Sequence, residues 1–404
     1  MKKSFSLLLA LLMVAVMLPV TAMADDANYC TIEGVDGEFD TLTAAAKAWR
    51  VSKGVVTEGD TFGANNLGTV ESIVWDIYGT VPVGDGAGVA GDNGAGECIF
   101  TGGYFTPAVT VSKVTVTGHN NATISKTNDE YRVSVNANEV VFANITFEDT
   151  MRNDSNPGSL TFTNCTFKAD LRMPHNRENA TLKVENCTFT GEVASDYAIF
   201  VQGPTEGGTM SNVVLSGNNI SGYQRGVNVQ AGTSATVSIT GNTITNLTGK
   251  DASNGKYGAA IQLTSGQTFT VTGNTIDTEN VNALHFYDGL NATVTINNNK
   301  IKAPYLLWNE AGLAPNKITS SGNVLDIANP GQAKTKTAVI PTENIINGTT
   351  VPGTITIIVP STEETPKPAE DQKNPSTGAN DFVGVAAAAA VMALLGSAVV
   401  LRKK

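Results

Sequence analysis

The sequence predicts an all-β chain whose body is a solenoid of short repeated strands, and three observations carry this. The octapeptide Val237-Ser-Ile-Thr-Gly-Asn-Thr-Ile244 recurs along most of the chain, with copies starting at Val140, Leu160, Leu182, Val213, Phe269 and Val294, a degraded one at Ile318 and a looser first copy from Val114 to Ile124. The last apolar residues of successive copies lie 20 to 32 residues apart, a period that marks a repeat array. Finally, 40 glycines and an aromatic content of 6% favour strands and tight turns over helices.

Within a copy, apolar residues such as Val237, Ile239 and Ile244 alternate with Thr or Ser, so one face of each strand is buried and the other wet. Gly241 and Asn242 supply the sharp turn between two short strands, because both residue types adopt positive φ cheaply. Leucine-rich repeats also carry a turn Asn, but they need several leucines and a helical return that these copies lack. The variable stretches between copies, such as Thr245 to Gly255, are then loops leaving one side of a coil.

Both ends read as processing signals. Lys2 and Lys3, the apolar run Leu7 to Val20, and Ala22 and Ala24 of an A-x-A site form a secretory signal over residues 1–24. At the other end, Ser361 to Lys373 is a Pro-, Glu- and Lys-rich linker that cannot bury enough apolar surface to fold. From Phe382 to Leu401 no residue is charged, about 30 Å as a helix and enough to span a bilayer, and Arg402, Lys403 and Lys404 then form a cytoplasmic stop.

Residues 25–112 read as an N-terminal cap with the first coils, 113–330 as the repeats, 331–360 as a final cap or small strand pair, 361–378 as the linker with its motif, and 379–404 as the span and tail. In the cap, Asp40 to Arg50 has the polar start and apolar spacing of a short helix, a lid over unpaired strand edges. Ile73 to Tyr78 reads as the first strong strand. The Gly-rich loop from Gly84 to Gly96 lacks the Lys-Ser/Thr pattern of a phosphate cradle.

Without the two signals the chain keeps 21 basic and 36 acidic residues, a formal charge of −15. Such a surface argues against nucleic acid or anionic lipid as a partner. Cys30, Cys98, Cys165 and Cys187 show no metal-ligand spacing. Export permits a disulfide, for which Cys30 and Cys98 are the better-placed pair.

The turn pattern resembles the right-handed parallel β-helix, the pectate-lyase-like fold, over roughly Ile73 to Leu325. The resemblance implies three parallel sheets with a stacked ladder of turn asparagines, here Asn218, Asn242, Asn274, Asn299 and Asn323. Cys165 and Cys187 occupy the ladder position in adjacent coils, where side chains pointing the same way suit free, stacked, buried thiols better than a disulfide. The sequons at Asn144, Asn164 and Asn186 are by-products of the repeat.

Enzymes that resemble this fold place their sites on the outward face of one sheet. With Val201, Val229, Leu263, Phe286 and Trp308 taken as inward, the third strands present outward Phe200, Asn228, Gln262, His285 and Leu307. Beside them run Gln202, Gln230, Thr264, Tyr287 and Asn309, with Tyr223, Arg225 and Tyr257 at the edge. Rings and amides together suit a sugar, ring faces covering apolar sugar faces and amides matching hydroxyls. The alternative is an ordinary solvated face. Catalysis finds little support, because the acids Asp196, Asp288 and Glu310 fall at strand ends in different coils. His119, His175 and His285 have no Cys or acid partner at ligand spacing, and no metal or cofactor is expected.

The order of Asn374, Pro375, Ser376, Thr377 and Gly378, apolar helix and basic tail resembles the cell-wall sorting signal of Gram-positive surface proteins, with Asn374 where the commonest motif has Leu. It implies that a sortase cuts after Thr377 and joins it to peptidoglycan, with the membrane held only by the precursor. The expectation is a monomeric, exported, wall-anchored surface protein that binds a polysaccharide or host glycan without catalysis. A surface polysaccharide lyase or hydrolase is the alternative, with calcium in the lyase case and Arg225 as the one base candidate.

Overall fold

A computed structural model describes residues 28–54, 69–84, 110–125, 137–152, 158–173, 178–192, 196–203, 208–249 and 258–328, and short strands within 338–357. The chain divides into two units, residues 1–359 and 360–404, and the second lies wholly outside the described residues, as do the secretory signal, the sorting motif and the apolar span. Among the described residues no helix is long and apolar enough to cross a membrane.

The repeats form stacked coils. Each contributes a strand before the turn (Ser159–Thr163, Thr181–Glu185, Asn212–Ser216, Thr236–Thr240, Thr268–Thr272, Thr293–Asn297) and a shorter one after it (Thr166–Phe167, Thr188–Phe189, Asn219–Ser221, Thr243–Thr245, Thr275–Asp277, Lys300–Ala303). Each pairs parallel with its counterpart in the next coil without slippage, so Val213, Val237, Phe269 and Val294 lie in one column. The period-2 alternation thereby becomes a core of stacked apolar columns. The first two coil strands, Thr69–Pro82 and Thr110–Ser125, run through both columns and join them at the N-terminal end.

The turn sorts its two residues by role. Positive φ falls on Asn144, Asn164, Asn186, Gly217, Gly241, Gly273, Asn298 and Gly322, one per coil. Asn-Cys in early coils and Gly-Asn in later ones are thus the same device, a left-handed residue followed by one that points inward. Asn242 is not itself left-handed. Its Nδ2 donates to Leu215 O and to Asn274 Oδ1, both at 2.9 Å, while its Oδ1 accepts from Asn218 N at 3.0 Å and Asn218 Nδ2 at 2.8 Å. Asn274, Asn299 and Asn323 continue the ladder.

Sulfur replaces amide oxygen at its N-terminal end. Cys187 N donates to Asn218 Oδ1 at 2.9 Å, and Cys187 Sγ accepts from Cys165 N at 3.4 Å. Both cysteines are free and buried, and the hydrogen bond with Cys165 together with burial pushes the Cys187 thiol up. Cys30 is also a free thiol, donating to Phe39 O at 3.5 Å, and burial pushes it up to about 12. Cys98, the partner expected for it, lies outside the described residues.

The helix spans Leu42–Ser52 and is capped by Thr41, whose hydroxyl accepts from Ala44 N at 3.1 Å. It buries Leu42, Ala45 and Trp49. A strand that periodicity misses, Tyr29–Ile32, pairs antiparallel with Thr69–Pro82 and closes that sheet edge. At the other end Asn344–Ile346 pairs parallel with Val324–Ile327 and antiparallel with Thr349–Val351, while Ala338–Ile340 pairs antiparallel with Ile355–Ile357. The described strands within 338–357 thus give one rung beside Val324–Ile327 and one small antiparallel pair.

Candidate functional site

A third parallel sheet orders Met151–Arg152, Leu171–Met173, Tyr197–Gln202, Arg225–Gln230, Ala259–Ser265, Asn282–Phe286 and Leu307–Asn309 as successive neighbours. Ile199, Val227, Ile261 and Leu284 point into the core, so the residues alternating with them face out. Register places Phe200, Asn228, Gln262 and His285 in one outward column, which Arg172 precedes.

The last strand sits one residue away from the expected register. His285 pairs with Trp308, and Leu307, 1% exposed, lies inside against Leu284. The reason is Asn309, which is buried and ties the following turn by accepting from Leu313 N at 2.9 Å and donating to Leu313 O at 3.1 Å. That clamp turns Trp308 outward, and a one-residue shift exchanges the faces of every side chain on a strand. Asn309 is accordingly a turn residue and not part of the outward strip.

Tyr223 is also removed from the strip. It is buried, and its hydroxyl donates to Ala169 O at 2.6 Å, tying together coils two apart. Gln202 and Gln230 pair as expected at the rim, whereas Thr264 is set in a bulge and donates to Asn228 Oδ1 at 2.8 Å. Tyr287 is 40% exposed, and Tyr257 lies outside the described residues.

Two ion pairs at strand ends escape sequence reading, because each joins residues from different coils. Arg225 stands beside Tyr197, its guanidinium 4.7 Å from the ring centre, donates to the phenol oxygen, and pairs through Nε with Asp196 at 3.2 Å. The phenol in turn donates to Gln262 Oε1 at 3.2 Å, and burial raises its pKa. Asp196 precedes one strand and Arg225 opens the next, so parallel stacking alone brings them together.

His285 Nε2 lies 2.9 Å from Glu310 Oε2, with the imidazole stacked on Trp308 at 3.8 Å and 6° and edge-on to Tyr287 at 5.6 Å. Burial, and secondarily the Arg225 charge, push its pKa down to about 3. The neutral ring therefore donates Nε2–H to Glu310, and near neutral pH it is no poised acid or base. His119 likewise has an acid partner, Asp76 at 2.7 Å, and stacks on Tyr78. His175 lies outside the described residues.

The face is thus a set of rings, Phe200, Tyr197, Tyr287 and Trp308, beside a floor in which the Thr264 hydroxyl links Asn228 to Gln262 and Gln262 accepts from Tyr197. Asn228, Gln262 and His285 are only 5 to 7% exposed, and the rings stand further out. The carboxylates do not suit calcium, since Asp196 is committed to Arg225 and Glu310 to His285, where such an ion needs several free oxygens converging.

Residues 150–325 match the family model of the right handed beta helix region. Comparison with curated proteins and with solved structures finds no match. With strands stacked parallel and in register through that stretch, the chain is a parallel β-helix repeat protein, similar over residues 150–325 to the right-handed β-helix family.

Proposed function

We propose that this is a wall-anchored surface protein of a Gram-positive bacterium whose third-sheet face binds a polysaccharide or host glycan without catalysis. The observation that supports binding is the outward column ending in Trp308, in which half-buried rings, one face of Trp308 taken by His285, lie beside buried and hydrogen-bonded amides. Rings held in place lose little freedom on binding, so they suit the flat apolar faces of sugars. The reading without catalysis is supported by the buried neutral His285 and by Asp196 and Glu310, which are paired among the described residues.

A glycan array probed with the purified full chain tests this. Binding to at least one glycan is expected, weakened about tenfold, or ~1.4 kcal/mol, by Trp308→Ala. No bound glycan, or binding indifferent to Trp308→Ala and Phe200→Ala together, overturns the reading. Bond cleavage in a bound polysaccharide that is lost in Arg225→Ala would establish the lyase or hydrolase in its place.

Anchoring rests on the motif from Asn374 to Gly378 with the apolar stretch and basic tail behind it. Digestion of the wall is expected to release the chain carrying peptidoglycan fragments, and Thr377→Ala is expected to leave it in the membrane fraction. Equal wall attachment of the Thr377→Ala chain would refute sortase processing.

A further inference from the structure

The glycan-facing sheet leaves unexplained the outer face of another sheet, the one formed by the strands before the turn. On three successive coils every outward position of that face is short and uncharged: Thr236, Ser238 and Thr240, then Thr268, Thr270 and Thr272, then Thr293, Thr295 and Asn297. Parallel pairing in register puts them in three straight columns, repeating at about 4.8 Å from coil to coil and at about 6.6 Å along each strand. Among the described residues no protein group hydrogen-bonds the hydroxyls of Thr236, Ser238, Thr268, Thr270, Thr293 or Thr295. Towards the N-terminus the next coil carries Asn212, Val214 and Ser216 in these columns, and charge returns one coil further at Lys183 and Glu185.

The chemistry of this face is specific. Threonine is β-branched, so its methyl and hydroxyl take few orientations on a strand and are set before any partner arrives. The grid carries no aromatic ring for a sugar face and no charge for an ionic partner. One hydroxyl contact is worth little against water, and many become useful only when a partner presents them all at once. A soluble glycan repeats along one axis, whereas this grid repeats along two. A crystalline glycan repeats along two but offers ring faces that find no counterpart here. A lattice of water molecules repeats along two axes and offers hydrogen-bond donors and acceptors with gaps that methyl groups fill.

We infer that the outward threonine grid between Thr236 and Thr295 is an adsorption surface for ice, separate from the glycan-facing sheet. The grid holds its hydroxyls where water of the ice surface would sit, and the methyl groups enter the spaces between.

The purified full chain, cooled slowly against a growing ice front, tests this by its partition between ice and liquid. Enrichment in the ice is expected, together with facetted crystal growth. The pair Thr270→Lys and Thr295→Lys is expected to lower enrichment by about tenfold or more, since charge breaks the whole repeat at its centre. Thr270→Val and Thr295→Val, which keep the branched shape suited to a strand, should lower it less and serve if the lysine variant misfolds by circular dichroism. Exclusion of the full chain from ice overturns the inference, as does unchanged partition of a folded lysine variant. Adsorption to microcrystalline cellulose or chitin without adsorption to ice overturns it too, and reassigns the face to a solid polysaccharide.

Discussion

Asn242→Ala is expected to destabilise the β-helix by about 4 kcal/mol, seen as a lower urea midpoint. The residue sits mid-ladder and is 2% exposed. Its loss strips the acceptor from the backbone and side-chain amides of Asn218 and the donor from Leu215 O. A buried polar group left unpaired costs about 1–3 kcal/mol, and several are created at once. Asn242→Cys should cost less, because Cys187 already accepts a backbone N–H at the equivalent place. Thr295→Ala, on the wet face, should stay within about 0.5 kcal/mol. If Asn242→Ala behaves like Thr295→Ala, the ladder does not stabilise the coils as argued.

Phe167→Ala should cost a similar amount by a different route. Its ring lies between Phe147 at 5.1 Å and Phe189 at 4.6 Å, nearly parallel to both, with Phe162 edge-on at 5.4 Å. Truncating a fully buried Phe removes its transfer energy and leaves a cavity, about 3–5 kcal/mol together. The surrounding stack is held by backbone register and cannot collapse into the gap. Phe167→Leu, which keeps most of the volume, should lose roughly 1.5 kcal/mol. Equal losses from leucine and alanine, measured by thermal melting, would show that the stack is not packed tightly there.

Both effects lie in parts of the molecule that local spacing reveals. Val237, Ile239 and Ile244 declare an inward face by alternation, and the recurring Gly-Asn pair declares the turn. What spacing could not assign was the division of labour within the pair, since Gly and Asn both tolerate positive φ. Stacking resolves it: Gly241 takes the left-handed conformation, and Asn242 meets Asn274 above it.

The candidate site was legible only where strands were long. Phe200, Asn228, Gln262 and His285 fall in their column because four consecutive strands keep register. The three-residue strand Leu307–Asn309 is too short for alternation to choose a face, and the Asn309 turn chose it instead. Tyr223 illustrates a second limit. An aromatic beside a polar strand reads as an edge ring, yet its hydroxyl found the carbonyl of Ala169, 54 residues away.

By itself, then, the sequence determined the repeat, its period and the buried columns, and the resemblance those patterns carry implied the positions of the ladder. The outward site was decided by tertiary structure. Arg225 meets Asp196, His285 meets Glu310 and stacks on Trp308, only because coils of unequal length are superposed. Loops of variable size separate those residues along the chain. Backbone hydrogen bonding between coils then sets their neighbours, and no local pattern records that choice.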